Sequence, residues 1–218
     1  MIRKRVHLEE VDVPAINAYE VDIHDELERR RLSITFPGMF SKGEIGIWLS
    51  TFDCWKWAVD NDEELLVFED DAIPHINFKH MFRELYPELP KDYDFFVLWI
   101  PDNQLIDYVY DVVYDEEGLP THVGPNKNSI TSNYNFGAIR LARVYNGYGN
   151  VAQLYSPKGG KTFIELAQKT GIYTPADCFL YQNAHAGRAI GYGPKPNRAK
   201  LVSYDWKAVT TVHTEDRV

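Results

Sequence analysis

Glu69, Asp70 and Asp71 follow directly on Leu65-Leu66-Val67-Phe68, and Ala72, Ile73 and Pro74 close the segment. Three adjacent carboxylates repel one another unless something positive compensates them. Hard divalent cations take oxygen ligands and accompany phosphate-bearing molecules. The chemistry this stretch offers is therefore a divalent-metal site serving a phosphorylated ligand. The plainer alternative is an acidic strand-to-loop corner that is only hydrated. Four apolar residues in a row predict a strand buried on both faces, as in a parallel sheet. In open α/β sheets the carboxyl end of such a strand is where ligands bind.

The elements around this stretch must hold it in place. Ser41-Lys42-Gly43-Glu44 has the spacing of a capping box. Behind it Ile45, Trp48, Leu49, Phe52, Trp55 and Val59 recur at helical spacing, which predicts a helix from Ser41 to Asn61-Asp62 with one apolar face. A second amphipathic helix is predicted over Asn77 to Tyr86, stopped by Pro87 and Pro90. Phe95 to Ile100 reads as another short apolar strand, and Tyr108 to Thr121 as a surface hairpin. Asn126 to Asn135 is turn-rich and reads as a mobile loop. Val151 to Tyr155 reads as a strand leading into a helix, with Ser156 as its cap, Pro157 as its first residue and Gly171 as its stop. Thr174-Pro175 opens a last helix. The segment Asp25 to Leu32, with Arg29, Arg30 and Arg31, is a solvated helix or loop whose arginines either meet phosphate or simply face water.

Alternating helices and strands predict one α/β domain over residues 1–218 with a largely parallel mixed sheet. Its core spans about 41–190, and residues 191–218 form a tail that wraps the surface. The 218 residues suit one such domain. A net charge of −9 argues against broad nonspecific binding to nucleic acid. No apolar run approaches ~20 residues, so no membrane span is expected. The N-terminus lacks the apolar stretch of a secretory signal. Cys54 and Cys178 have no metal-like spacing and read as buried free thiols in a reducing compartment, which points to the cytoplasm.

Gly43-Glu44-Ile45-Gly46-Ile47-Trp48-Leu49-Ser50, then Trp55, then Val67 to Ala72 resemble the signature of glycosyltransferase family 25. That family groups lipooligosaccharide β-galactosyltransferases with collagen galactosyltransferases. Gly149 to Gly160 is similar to its glycine–strand–Ser-x-x-Gly-helix segment, and Thr174-Pro175-Ala176-Asp177 to its P-x-D element. Where family members begin with a strand and an Asn-Leu…Arg pattern, this chain has Ile2-Arg3-Lys4-Arg5.

The resemblance implies a GT-A (Rossmann-like) fold and inverting, metal-dependent transfer from a nucleotide sugar, UDP-sugar favoured, to a glycan or another hydroxyl acceptor. Glu69 and Asp71 are then ligands for Mn2+ or Mg2+, with His185 and His213 as further candidates. Asp70 is placed to orient the donor. Asp177 is the candidate base, or else the closing residue of a capping box with Thr174. Ser50, Trp55, Asn135, Tyr148, Gly149, Arg3 and Arg5 are candidate donor or acceptor contacts, and Lys158 is a candidate for phosphate. Two alternatives stand beside this reading. One is the same chemistry on a modified DNA base; the other is a sugar-binding protein that has lost turnover.

Overall fold

The structure, a computed structural model, describes residues 9–98, 109–114, 116, 120–126, 141–144, 149, 151–194 and 201–204. Among the described residues two helices precede the first strand. Helix α1, Ile23–Arg30, is capped by Asp22, whose carboxylate accepts from the His24 and Asp25 N–H groups. Helix α2, Lys42–Asn61, has the capping box that its sequence predicts. The Ser41 hydroxyl accepts from Glu44 N at 3.2 Å, and the Glu44 carboxylate accepts from Ser41 N at 2.7 Å. Ile45, Trp48, Leu49, Phe52, Trp55 and Ala58 are buried along one stripe. Burial of each large apolar side chain contributes ~1.5–3 kcal/mol, so this stripe fixes α2 on the rest of the chain.

After α2 come β1 (Leu65–Phe68), β2 (Ala72–Pro74), α3 (Phe78–Leu85) and β3 (Phe95–Val97). The predicted hairpin forms from β4 (Val109–Tyr114) and β5 (Pro120–Asn126). Then follow β6 (Leu141–Val144), β7 (Ala152–Tyr155), α4 (Pro157–Thr170), α5 (Ala176–His185), β8 (Gly191–Pro194) and β9 (Val202–Tyr204). Asn135 and most of the turn-rich segment 126–135 lie outside the described residues.

Five strands form one sheet in the order β1-β7-β3-β8-β6. The sheet is mixed, but it is not largely parallel as expected. Among the described strands of this sheet only β3 and β8 pair in parallel, while β7 runs antiparallel to both β1 and β3, and β6 antiparallel to β8. The reason is the insertion of β7 between two strands that point the same way. Strands β1, β3 and β8 therefore still share one direction, and their carboxyl ends share one edge of the sheet. β1 is an outer strand rather than a strand buried on both faces: Leu65 is buried, but Phe68 is 37% exposed.

The sheet divides two apolar clusters. Phe95, Val97 and Tyr155 face α2, α4 and α5, with Trp48, Trp55, Phe163 and Phe179. Phe96, Leu98, Ala152 and Leu154 face α3, with Phe78, Phe82 and Leu85. The expected surface tail begins instead as a sheet strand, because β8 lies between β3 and β6 and Leu201 and Val202 are buried. A Cβ on Gly191 would meet the Phe95 ring at 2.3 Å, so only glycine lets the ring lie over the strand.

Candidate active site

The acids gather where the strand directions place them. Leu65 and Val67 pack toward α2, and Leu66 toward α3. This alternation puts Glu69 on the α2/α5 face, and Asp70 is exposed in the turn that follows, which the Ala72 N–H closes by donating to Glu69 O at 3.0 Å. Pairing runs one residue beyond β1, since Glu69 N donates to Val151 O at 2.9 Å. Burial pushes the Glu69 carboxyl up to about 7, and the charges of Asp71, Asp177 and Asp70 push it in the same direction. Three carboxylates, two beside it and one on α5, thus act on Glu69.

Asp177 reaches this cluster from the first turn of α5. The helix is held by Trp48, whose indole N–H donates to Thr174 O at 2.7 Å, and by Phe179, packed edge-on to Trp48 at 4.9 Å between ring centroids. The capping box considered for Thr174 and Asp177 does not form. The residue before the helix is Pro175, which has no N–H to offer, and no side chain caps this end. The Asp177 carboxylate turns outward instead. Its Oδ2 accepts from Gly149 N at 2.6 Å and its Oδ1 from Cys178 N at 2.7 Å. Gly149 has φ +85°, a left-handed conformation that favours glycine. Gly149 thus serves the backbone and anchors Asp177 at once.

The other predicted residues divide sharply. Ser50 is occupied by its own chain: its hydroxyl accepts from Ile16 N and donates to Gly46 O, both at 2.8 Å. Gly46 belongs to the same device, because a Cβ there would sit 2.8 Å from Ile16 O. The Gly-Glu-Ile-Gly-x-x-x-Ser run therefore fastens residues 16–18 onto α2. Trp55 is fully buried among Trp48, Phe52, Tyr155, Phe163 and Phe179, so stacking on a sugar or base is ruled out for its ring. Lys158 lies after β7, at the opposite edge of the sheet from Val151 and Glu69, roughly 17 Å away by strand rise. It pairs with Asp94 at 2.8 Å and does not face the acids. His185 is exposed at the far end of α5 from Asp177, ~12 Å along the axis. Arg30 is buried in ion pairs with Glu26 and Asp53, so it does not meet phosphate, and Arg29 pairs with Glu26 at the surface. Arg3, Arg5, Asn135, Tyr148 and His213 lie outside the described residues.

The Ser156-Pro157-Lys158-Gly159-Gly160 run is also a packing device. A Cβ on Gly159 would fall 1.9 Å from Asp94 O, and one on Gly160 2.6 Å from Trp55 O. Sequence reasoning passed over Gln153 and Tyr155. Both are buried on the inner face of β7, where the Tyr155 hydroxyl donates to Gln153 Oε1. The signal available was a glutamine set between apolar residues of a short strand.

Among the described residues no three His, Cys, Asp or Glu side chains are already arranged to hold an ion. The acids nonetheless fit a metal of the Mg2+ or Mn2+ kind. Such an ion is commonly held by one or two carboxylates, with substrate phosphates and water completing its shell. The mutual repulsion at Glu69 is the charge imbalance that a cation relieves.

The acids lie at the carboxyl end of β1, the end of the co-directed strands where open α/β sheets bind ligands. Over residues 2–180 the chain matches the model of glycosyltransferase family 25, described as an LPS biosynthesis protein, and it belongs to that family. It is accordingly a glycosyltransferase. Comparison with curated proteins finds no match. Among the described residues no helix is long and apolar enough to cross a membrane.

Proposed function

We propose that residues 1–218 work as a single GT-A-type domain that moves a sugar, with inversion, from a UDP-sugar to a hydroxyl of a glycan. Glu69 and Asp71 hold Mn2+ or Mg2+, and Asp70, exposed beside them, orients the donor. When bound, the ion supplies neutralisation of the charge that develops on the leaving diphosphate. Asp177 takes the proton of the acceptor hydroxyl. Each of its oxygens accepts one backbone N–H, which aims the carboxylate and leaves a second lone pair on each oxygen for the acceptor. A base on a different element from the metal ligands can deprotonate an acceptor hydroxyl whose oxygen attacks the anomeric carbon from the side away from the leaving diphosphate, and that single displacement gives inversion. The buried free thiols of Cys54 and Cys178 suit a reducing compartment such as the cytoplasm.

The observation that carries this reading is the approach of Asp177, on α5, to the acid end of β1, close enough for its charge to act on Glu69. A transfer assay with a panel of nucleotide sugars, with and without Mn2+, tests it. One uridine-linked donor should turn over only with the metal. Asp177→Asn should bind that donor and not transfer it. Unchanged transfer by Asp177→Asn removes Asp177 from the role of base.

A further inference from the structure

We propose that Gln153 is a positioning residue for the Glu69 carboxylate, an inference that rests on the reading of Glu69 as a ligand on the donor side. Gln153 lies in the second strand of the sheet and is 1% exposed. Its Cα partners are Val67 on β1 and Val97 on β3. Strand alternation puts its side chain on the face of Tyr155, Val67 and Val97, against the layer of α2 and α5. Glu69 lies two residues beyond Val67 on that same face, and is therefore the diagonal neighbour of Gln153. Diagonal neighbours across an antiparallel pair stand ~7–8 Å apart, within reach of two long side chains.

The Tyr155 hydroxyl donates to Gln153 Oε1, so the carboxamide is held by its oxygen and its N–H groups form the other end. Among the described residues Gln153 Nε2 has no partner. A buried amide donor without an acceptor is costly and uncommon. A carboxylate one diagonal away is the strongest kind of acceptor it can meet. The Tyr155 hydroxyl also lies within the field of both Glu69 and Asp177, so the pair belongs to the same buried polar patch as the acids. In the loaded site Gln153 Nε2 donates to one oxygen of Glu69, and the other oxygen is left for the ligand. Tyr155 fixes which way the amide faces.

The test is calorimetric titration of the full chain with UDP in the presence of Mn2+, alongside thermal unfolding of the unloaded protein. Residues that orient a ligand to a metal through a hydrogen bond change affinity by ~10–100-fold when removed. Gln153→Leu is expected to weaken UDP binding at least about tenfold by that rule, while the melting temperature of its unloaded protein reports separately the loss of the acceptor for the buried Tyr155 hydroxyl. Tyr155→Phe keeps the ring, frees the amide to turn, and should give a smaller loss in the same direction. A purely structural glutamine predicts unchanged affinity, with the melting temperature alone altered. Unchanged affinity in a folded Gln153→Leu protein overturns the inference and leaves the donor-site reading intact. If Gln153→Leu does not fold, Tyr155→Phe decides by the same criterion. A wild-type protein that binds no UDP with Mn2+ overturns both readings.

Discussion

Replacing Glu69 by glutamine should make the metal-free protein more stable, increasingly so as pH rises from 4.5 to about 7. The Glu69 carboxyl is raised from 4.5 to about 7, first by burial and then by Asp71, Asp177 and Asp70. At 1.36 kcal/mol per pH unit, that rise corresponds to ~3 kcal/mol. The sign follows from proton linkage. The folded form holds this proton more tightly than the unfolded chain, so stability is lost as pH rises. The loss is absent below the unfolded value, grows between 4.5 and about 7, and is complete above. Glu69→Gln keeps the shape of the side chain without the charge. It should match wild type at about pH 4 and exceed it by ~3 kcal/mol at about pH 8. For a chain of this size that difference raises the melting temperature by roughly 6–12 °C. Thermal unfolding at both pH values in chelator measures it. Added Mn2+ should then narrow the gap, by stabilising wild type more than the variant. A variant no more stable than wild type at the higher pH, or equally more stable at both, refutes the account of a crowded, uncompensated carboxylate.

Three further substitutions separate the site from its supports. Gly149→Ala forces a side chain into a left-handed conformation at ~1–2 kcal/mol and displaces the N–H that holds Asp177; turnover should fall with little change in donor KM, and an equal rise in KM would count against the anchoring role. Ser50→Ala should cost ~1–2 kcal/mol by denaturant unfolding, through the lost bond to Ile16 N, yet leave UDP affinity unchanged; weakened UDP binding would return Ser50 to the donor site. Gly159→Ala drives a Cβ to 1.9 Å from a backbone oxygen of Asp94, and circular dichroism should show loss of the native fold; a normally folded variant would mean that α4 can move away from β3.

What the sequence disclosed follows from the range of the interactions involved. The capped helix α2, the Ser156-Pro157 start of α4 and the hairpin of β4 and β5 are set by residues a few positions apart, and all appear where local rules put them. Strand direction is not local. Nothing in Val151 to Tyr155 reveals that β7 runs between β1 and β3 against both, so a largely parallel sheet was a wrong expectation. Composition misled at Gly191–Pro194, where a Gly- and Pro-containing stretch forms a strand because glycine makes room for the Phe95 ring.

The acids and Asp177 were visible as separate motifs. Their convergence was not, because it depends on Gly149 and on the Trp48 bond that seats α5. The family motifs also divide by job in a way that spacing alone does not show. Gly46 and Ser50 of the Gly-Glu-Ile-Gly run, with Gly159, Gly160 and Trp55, hold helices against their neighbours. That division leaves the carboxylates as the groups proposed to face the ligand. A polar residue inside a strand, such as Gln153, gives a faint signal in sequence and a clear one once its burial and its diagonal neighbour are known.

The central claim is that the acid end of β1 binds a nucleoside diphosphate through a divalent cation. Calorimetric titration of the full chain with UDP, with Mn2+ and then with chelator, tests it most directly when repeated on Asp71→Ala. The account predicts saturable binding by wild type with Mn2+, and loss of that binding in chelator and in the folded Asp71→Ala protein. Binding that is indifferent to both the metal and Asp71 would contradict it.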